Sequence, residues 1–297
     1  EQSNPLIPSR ANVLERMITL AHAAGIEVHA WMWTVICRNP HVASKHGDWY
    51  SVNRKGEPAN TKPAYVGYYK FLCPRQPEAR QFIASHVTAL ASIAELDGVH
   101  LDYVRLPDVI LAKGLWDKYG IVQDKEYPQY DYCYCGHCRA EFKRETGADP
   151  LTDLDDPPAD QAWRQFRYDG VSQLVRAHLA PIARQQGKAI TAAVFPNWEY
   201  VRQAWHTWGL DAYLPMLYHS FYDENISWIG EETSAAIARL ESPAEVFPGL
   251  FGPSLTPAEL SEAVATAKKA GGSGVALFDL NALTAKHWDR LAVALRQ

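Results

Sequence analysis

Residues able to do acid–base or nucleophilic chemistry, His100 and Asp102, stand two apart in Asp97–Pro107, which reads Asp-Gly-Val-His-Leu-Asp-Tyr-Val-Arg-Leu-Pro. A turn pair opens this stretch, an apolar run follows, and Pro107 closes it, which is how a short buried strand is punctuated. Strand side chains alternate, so His100 and Asp102 share one face and Val99, Leu101 and Tyr103 the other. A carboxylate inside a buried strand is costly unless it is paired or stands at the open end. Asp102 stands where the apolar run gives out, which places a carboxyl at the mouth of a cleft. The alternative is an Asp that caps a loop through backbone amides.

Other acids of the same kind are few. Glu199 follows a strand-like run by several residues, and Asp279 ends another but could equally cap the helix after it. Asp211 begins its strand and reads as structural. Hydrolysis of a glycosidic bond usually needs two carboxyl groups flanking that bond, one to protonate the leaving oxygen and one to attack or to activate water. Asp102 as nucleophile or base, with Glu199 as general acid raised in pKa by burial beside Trp198, is the pair the sequence offers. His29, Trp31 and Trp33 share a strand face, and with His100, Tyr103, Arg105, Asn197, Trp198, Tyr218, His219 and Asp279 they form the candidate substrate-binding set, Arg105 steering Asp102. His29, His100 and Asp102 could alternatively be read as metal ligands.

The cysteines form a second group. Cys133-Tyr-Cys135-Gly-His-Cys138 is a Cys-x-Cys-x-x-Cys cluster, and thiolates so close in sequence suit tetrahedral zinc better than disulfides. A fourth ligand is needed; Cys73 is preferred and His137 is the alternative. Four thiolates leave no open position, so such a zinc would be structural and would pin a long loop. Cys37 is left over and is expected to be buried.

The elements that must position these groups alternate between strand and helix. Residues 10–24 read as an amphipathic helix, and 77–95, 162–186, 257–270 and the C-terminal segment as others. Thr256-Pro-Ala-Glu259 is a capping box with Pro at the first helical position. Strands are expected at 26–33, 98–104, 189–195, 210–217, 246–251 and 274–279. Repeated strand–loop–helix units imply parallel strands covered by helices. A closed barrel of this type wants about eight strands. The chain therefore starts two strands into the barrel, or the barrel is open, or strands are hidden in residues 40–72. Polar and aromatic residues gather at the strand C-terminal ends, where such barrels carry their sites. The expectation is one domain over residues 1–297, a (β/α)8 TIM barrel with a long loop, 108–158, bearing the cysteines. An open doubly wound sheet would want a Gly-rich phosphate turn after an early strand, and the sequence has none.

The chain has 297 residues, 47% of them hydrophobic, and a net charge of −5, enough apolar content for a sizeable core. Without a Lys/Arg run, nucleic acid and anionic membrane surfaces are disfavoured as partners. No apolar run reaches the roughly 18 residues of a membrane span. The first residues, Glu-Gln-Ser-Asn-Pro, are not a signal peptide, so any such peptide is expected to have been removed already. Ten Trp and fifteen Tyr are many for this length and offer flat platforms for sugar rings.

Residues 97–107 resemble the fourth-strand motif of the glycosyl hydrolase-like family 10 proteins and related barrels. Glu27-Val-His-Ala-Trp31, Asp211-Ala-Tyr-Leu-Pro-Met-Leu-Tyr218 and Gly274-Val-Ala-Leu-Phe-Asp279 resemble that family's preceding, sixth and last strands. The resemblance implies a (β/α)8 barrel of α-amylase type that cleaves glycosidic bonds, with a carbohydrate substrate and a secreted or periplasmic location. Amylase-like barrels carry Arg-x-Asp on the fourth strand; here those positions are His100 and Asp102, so the Arg is absent. Phe71-Leu-Cys73-Pro-Arg-Gln-Pro-Glu-Ala-Arg80, with Cys133, Cys135 and Cys138, is similar to the zinc-binding cysteines of family 42 β-galactosidases. This second resemblance implies zinc with Cys73 as the fourth ligand; the galactosidase Asn-Glu pair has no counterpart beside Asp102. A glycoside hydrolase acting on a poly- or oligosaccharide is the leading expectation, and a barrel that holds glycan without chemistry is the alternative.

Overall fold

The computed structural model describes residues 13–296. Of the expected first helix, residues 10–12 lie outside the described residues, and the helix is observed over Val13–Ala23. It leads into β1 (His29–Trp33), followed by β2 (Gly98–Asp102), β3 (Ala189–Val194), β4 (Ala212–Pro215), β5 (Glu245–Val246), β6 (Gly249–Phe251) and β7 (Ala276–Phe278). All ladders are parallel, in the order β1-β2-β3-β4-β5 with β6-β7 beside them. A parallel bridge, Met216 to Gly249, joins the two groups into one curved wall.

The expected strand 246–251 is observed as two pieces because Pro248 has no N–H to give to the ladder. Counted as one, it brings the described residues to the six strands read from sequence. The wall is open between β1 and β7. Residues 40–72 add no barrel strand: they form a helical turn at Pro40–Lys45 and isolated antiparallel bridges such as Tyr50 to Leu72. The architecture is thus a partial (β/α)8 barrel.

Strand alternation sorts the residues as expected. Val99, Leu101, Ile190, Ala192, Val194, Tyr213 and Val246 point outward and are buried against Ile83 and Val87 of the helix Pro77–Ala91 and Leu174, Val175 and Ala183 of the segment 161–185. A second cluster, Leu250, Leu260, Val264 and Leu291, seats the last two helices, Pro257–Lys269 and Ala285–Arg296. The capping box at Thr256 is formed as read.

The inward face carries His29, Trp31 and Trp33 beside Gly98, His100 and Asp102, because the register pairs His29 with Gly98, Trp31 with His100 and Trp33 with Asp102. Gly98 is needed there: a Cβ would run into the His29 ring and stand 2.9 Å from the Ala189 carbonyl oxygen.

The long loop 108–158 is held by buried charge. Asp131 is fully buried against the Arg167 guanidinium, accepts a 2.6 Å bond from the Tyr134 hydroxyl and lies 3.6 Å from Arg54 Nε. Glu126 pairs with Arg202 and with Arg164. The loop contains the helix Gly136–Thr146.

Candidate active site

Asp102 is the last residue of β2, half-buried on the inward face. Its Oδ2 accepts the Trp31 indole N–H at 3.0 Å and its Oδ1 accepts the Tyr103 backbone N–H at 2.6 Å. Burial raises the Asp102 pKa above the usual carboxylate range, against the lowering pull of these two donors and of Arg105. A carboxyl whose neutral form is favoured is suited to giving a proton.

Tyr103 departs from the alternation read in the sequence. Its backbone is left-handed, φ +50, so the strand stops at Asp102. The Tyr103 ring packs against Trp33 at 5.1 Å and among Tyr68, Tyr69 and Phe71. Trp33 also contacts Tyr68 at 5.4 Å and meets Trp31 edge-on at 6.4 Å. Trp31 is 55% exposed, leaving a free indole face beside Asp102. Opposite, Tyr218 follows β4 and lies within electrostatic reach of Asp102, and burial together with that charge raises its pKa. Its ring runs parallel to that of Phe278 and contacts Phe221 and Phe251. Asp102 therefore stands between two aromatic walls.

His100 lies one position deeper. Its Nδ1 and the Thr191 hydroxyl are 2.8 Å apart, and burial with the nearby His29 lowers its pKa to about 4, so the ring is neutral at pH 7. His29 Nε2 reaches outward to Glu27 at 3.3 Å. With Asp102 committed to Trp31 and Tyr103, these three residues do not converge as a metal ligand set. His219 opens the short helix His219–Tyr222, and Asn197 Oδ1 accepts from the Tyr222 hydroxyl at 3.4 Å.

Three expected roles are corrected. Glu199 is exposed on the turn Trp198–Val201, and Trp198 packs on Tyr168 and His206, so the two are not buried together. Arg105 is buried and committed to Asp108 at 2.9 Å, to the Leu106 carbonyl and to the Tyr69 hydroxyl, with its guanidinium 4.6 Å from the Phe195 ring centroid. It reaches Asp102 through its field alone. Asp279 caps the turn Leu280–Ala282 and not the final helix, its carboxylate accepting the Asn281 N–H at 3.0 Å. Asp211 is structural as read, accepting the Ile190 N–H at 2.7 Å.

The sequence singles out neither Tyr65, Tyr68 nor Tyr69, and reads Asp108 as an acid out in a loop. Tyr65 gives its hydroxyl proton to the Asp108 carbonyl and stacks on Tyr130 at 4.4 Å. The aromatic richness of residues 38–70 was the available signal; their folding back over β1 was not. Two surface pockets lie elsewhere, about 470 Å³ beside Pro257 and Arg290 and about 390 Å³ beside Tyr65, Tyr119 and Tyr130. Neither includes Asp102, which faces the open inner side of the wall.

The cysteines converge as expected. The Sγ atoms of Cys73, Cys133 and Cys138 are mutually within ligand-sharing distance, with Cys135 Sγ 3.6 Å from Cys73 Sγ. His137 points outward to Glu141. Cys37 is buried, as read.

Comparison with known proteins places this geometry. A family model described as Glycosyl hydrolase-like 10 matches residues 6–114, a span that contains β1, β2 and Asp102. No curated protein matches. Among solved structures, the glycoside hydrolase domain of PgaB (BpsB) from Bordetella bronchiseptica is similar over 97% of this chain and 80% of its own, with TM-score 0.71 and 17% identity. A class V chitinase from Pseudomonas fluorescens Pf-5 is similar over 96% of this chain and 86% of its own, with TM-score 0.51 and 10% identity. At these identities the likeness is one of fold, the TIM barrel of glycoside hydrolases.

Proposed function

We propose that this chain hydrolyses glycosidic bonds of a poly- or oligosaccharide lying across the C-terminal ends of its strands, with Asp102 as the proton donor. The observation that carries the reading is Asp102 itself: half-buried at the end of β2, its carboxyl pKa raised by burial, with an exposed indole at 3.0 Å. A neutral carboxyl can protonate a leaving glycosidic oxygen and afterwards serve as base. Asp102 thus takes the acid role that the sequence reading assigned to Glu199, which the exposure of Glu199 disfavours. Trp31 and Tyr218 supply faces for sugar rings, and Trp33, backed by Tyr68 and Tyr103, stiffens one wall. His219 and Asn197 lie further along the same strand ends and can meet sugar hydroxyls. The fold shared with PgaB and the chitinase, and the family match over 6–114, support the same class of reaction. By that likeness the protein is expected to work outside the cytoplasm, secreted or periplasmic. Among the described residues no helix is long and apolar enough to cross a membrane.

A second reading, a barrel that holds glycan without cleaving it, is favoured by one observation: the other candidate acids are exposed (Glu199), paired (Asp108) or capping (Asp279). Wild type and Asp102→Asn, assayed together on a panel of polysaccharides and cell-wall glycans for reducing-end release and for binding, separate the two. Hydrolysis by wild type, with a loss of about 10²–10⁴-fold in the variant, is expected from removing a general acid. Equal hydrolysis by both would exclude Asp102. Binding by both and release by neither would establish the second reading.

A further inference from the structure

The geometry points to a structural zinc centre formed by the thiolates of Cys73, Cys133, Cys135 and Cys138, which fixes one wall of the cleft from behind. The Sγ separations are 3.1 Å (Cys133 to Cys138), 3.4 Å (Cys73 to Cys138), 3.6 Å (Cys73 to Cys135) and 4.0 Å (Cys73 to Cys133). A disulfide would bring two sulfurs to about 2.05 Å, and all four cysteines are free and buried. Zinc–sulfur bonds of about 2.3 Å put the sulfurs of a tetrahedron about 3.8 Å apart; Cys73, Cys133 and Cys138 lie within 4.8 Å of one another around that value, and Cys135 approaches the group at Cys73.

Charge gives an independent argument. Four thiolates around one zinc ion leave a net negative centre, costly to bury unless it is compensated. Two guanidinium groups stand near the sulfurs: Arg75, buried, stacked on Phe166 and paired with Glu141 at 3.1 Å, and Arg80, whose side chain donates to the Pro74 carbonyl. Cys135 caps the N-terminus of the helix Gly136–Thr146 and Cys138 lies in its first turn, where the helix dipole favours negative charge.

The centre ties together segments distant in sequence. The Cys73 N–H donates to the Trp49 carbonyl and the Cys133 N–H to the Val52 carbonyl. Cys73 and Cys133 are 60 residues apart, and Tyr68 and Tyr69, which pack on Trp33 and Tyr103, lie a few residues before Cys73. Closing that span reduces the freedom of the unfolded chain, and fixing Cys73 anchors the end of the segment that carries these tyrosines. The zinc has no part in bond cleavage; its ligands are all protein sulfurs.

The test is elemental analysis of the purified full chain, with cobalt exchange and chelation of the folded protein. About one zinc per chain is expected, and the cobalt form should show the intense thiolate charge-transfer and visible bands of a tetrahedral four-sulfur site. Removing the metal should lower the thermal midpoint. Metal-free protein whose four thiols react freely while it is folded, masses showing disulfides, or bound iron in place of zinc would each overturn the assignment. Two variants test the ligand set without depending on activity. Cys135→Ser should release zinc to a chelator at least tenfold faster than wild type, and His137→Ala should release it at the wild-type rate. Equal release by wild type and Cys135→Ser, or faster release from His137→Ala, would refute the four-thiolate set.

Discussion

The indole Nε1–H of Trp31 donates to Asp102 Oδ2 at 3.0 Å, across the β1–β2 ladder and 71 residues of sequence. The bond holds the carboxyl at the strand end and favours its ionised form, while burial favours the neutral one. Trp31 therefore both tunes the candidate acid and offers a face to substrate.

Trp31→Phe keeps a ring and removes this donor. Losing a hydrogen bond to a charged group raises the pKa of Asp102 further, by about one unit if roughly 1.4 kcal/mol of differential stabilisation is lost. If Asp102 gives the proton, the alkaline limb of a kcat/KM profile should move to higher pH by about that amount. An unmoved limb would remove Asp102 from that role.

Asp102→Asn should remove a pH-dependent part of the stability; its amide oxygen can accept only one of the two N–H groups that meet Asp102, so the variant starts from a lower urea midpoint. A carboxyl with a folded pKa above its unfolded value supports folding fully below the unfolded pKa and loses that contribution as pH rises through the folded pKa. The amide has no charge to desolvate. The gap in urea midpoint between wild type and variant should be widest below about pH 4, the unfolded carboxylate pKa, and should narrow as pH rises.

His100 gives the opposite slope. Its folded pKa of about 4 lies below the usual histidine value. Its contribution is present above the unfolded pKa of about 6.5 and lost as pH falls towards the folded one, on the order of a few kcal/mol. Between pH 7 and pH 4.5 wild type should lose more urea resistance than His100→Gln. NMR should show the His100 ring without titration between pH 6 and 8.

Asp131→Asn should be among the most damaging changes in the loop 108–158. It leaves Arg167, itself fully buried, without its countercharge, at a cost of about 3–5 kcal/mol. Denaturant unfolding measures this loss, and limited proteolysis should cut first between residues 108 and 135.

How much of this was legible in sequence depends on how local the determining physics is. Turn pairs, proline stops and period-two alternation located all six strands and put His29, Trp31, Trp33, His100 and Asp102 on one face. The Cys-x-Cys-x-x-Cys spacing located the sulfur cluster, and a capping box announced the helix Pro257–Lys269. Each signal is complete within about ten residues, because it reflects backbone geometry and side-chain direction.

Tertiary structure alone decided which charged groups meet. Arg105 could have served Asp102; packing gave it to Asp108. Glu199 could have been buried beside Trp198; the turn there left it in solvent. Tyr103 belonged by alternation to the outward face, but its left-handed backbone laid its ring on Trp33. The bonds from Trp31 to Asp102 and from Arg167 to Asp131 span 71 and 36 residues. Such pairings depend on ladder register and on where the long loops fold back, and the cost of burying each charge is settled only when the whole core has formed.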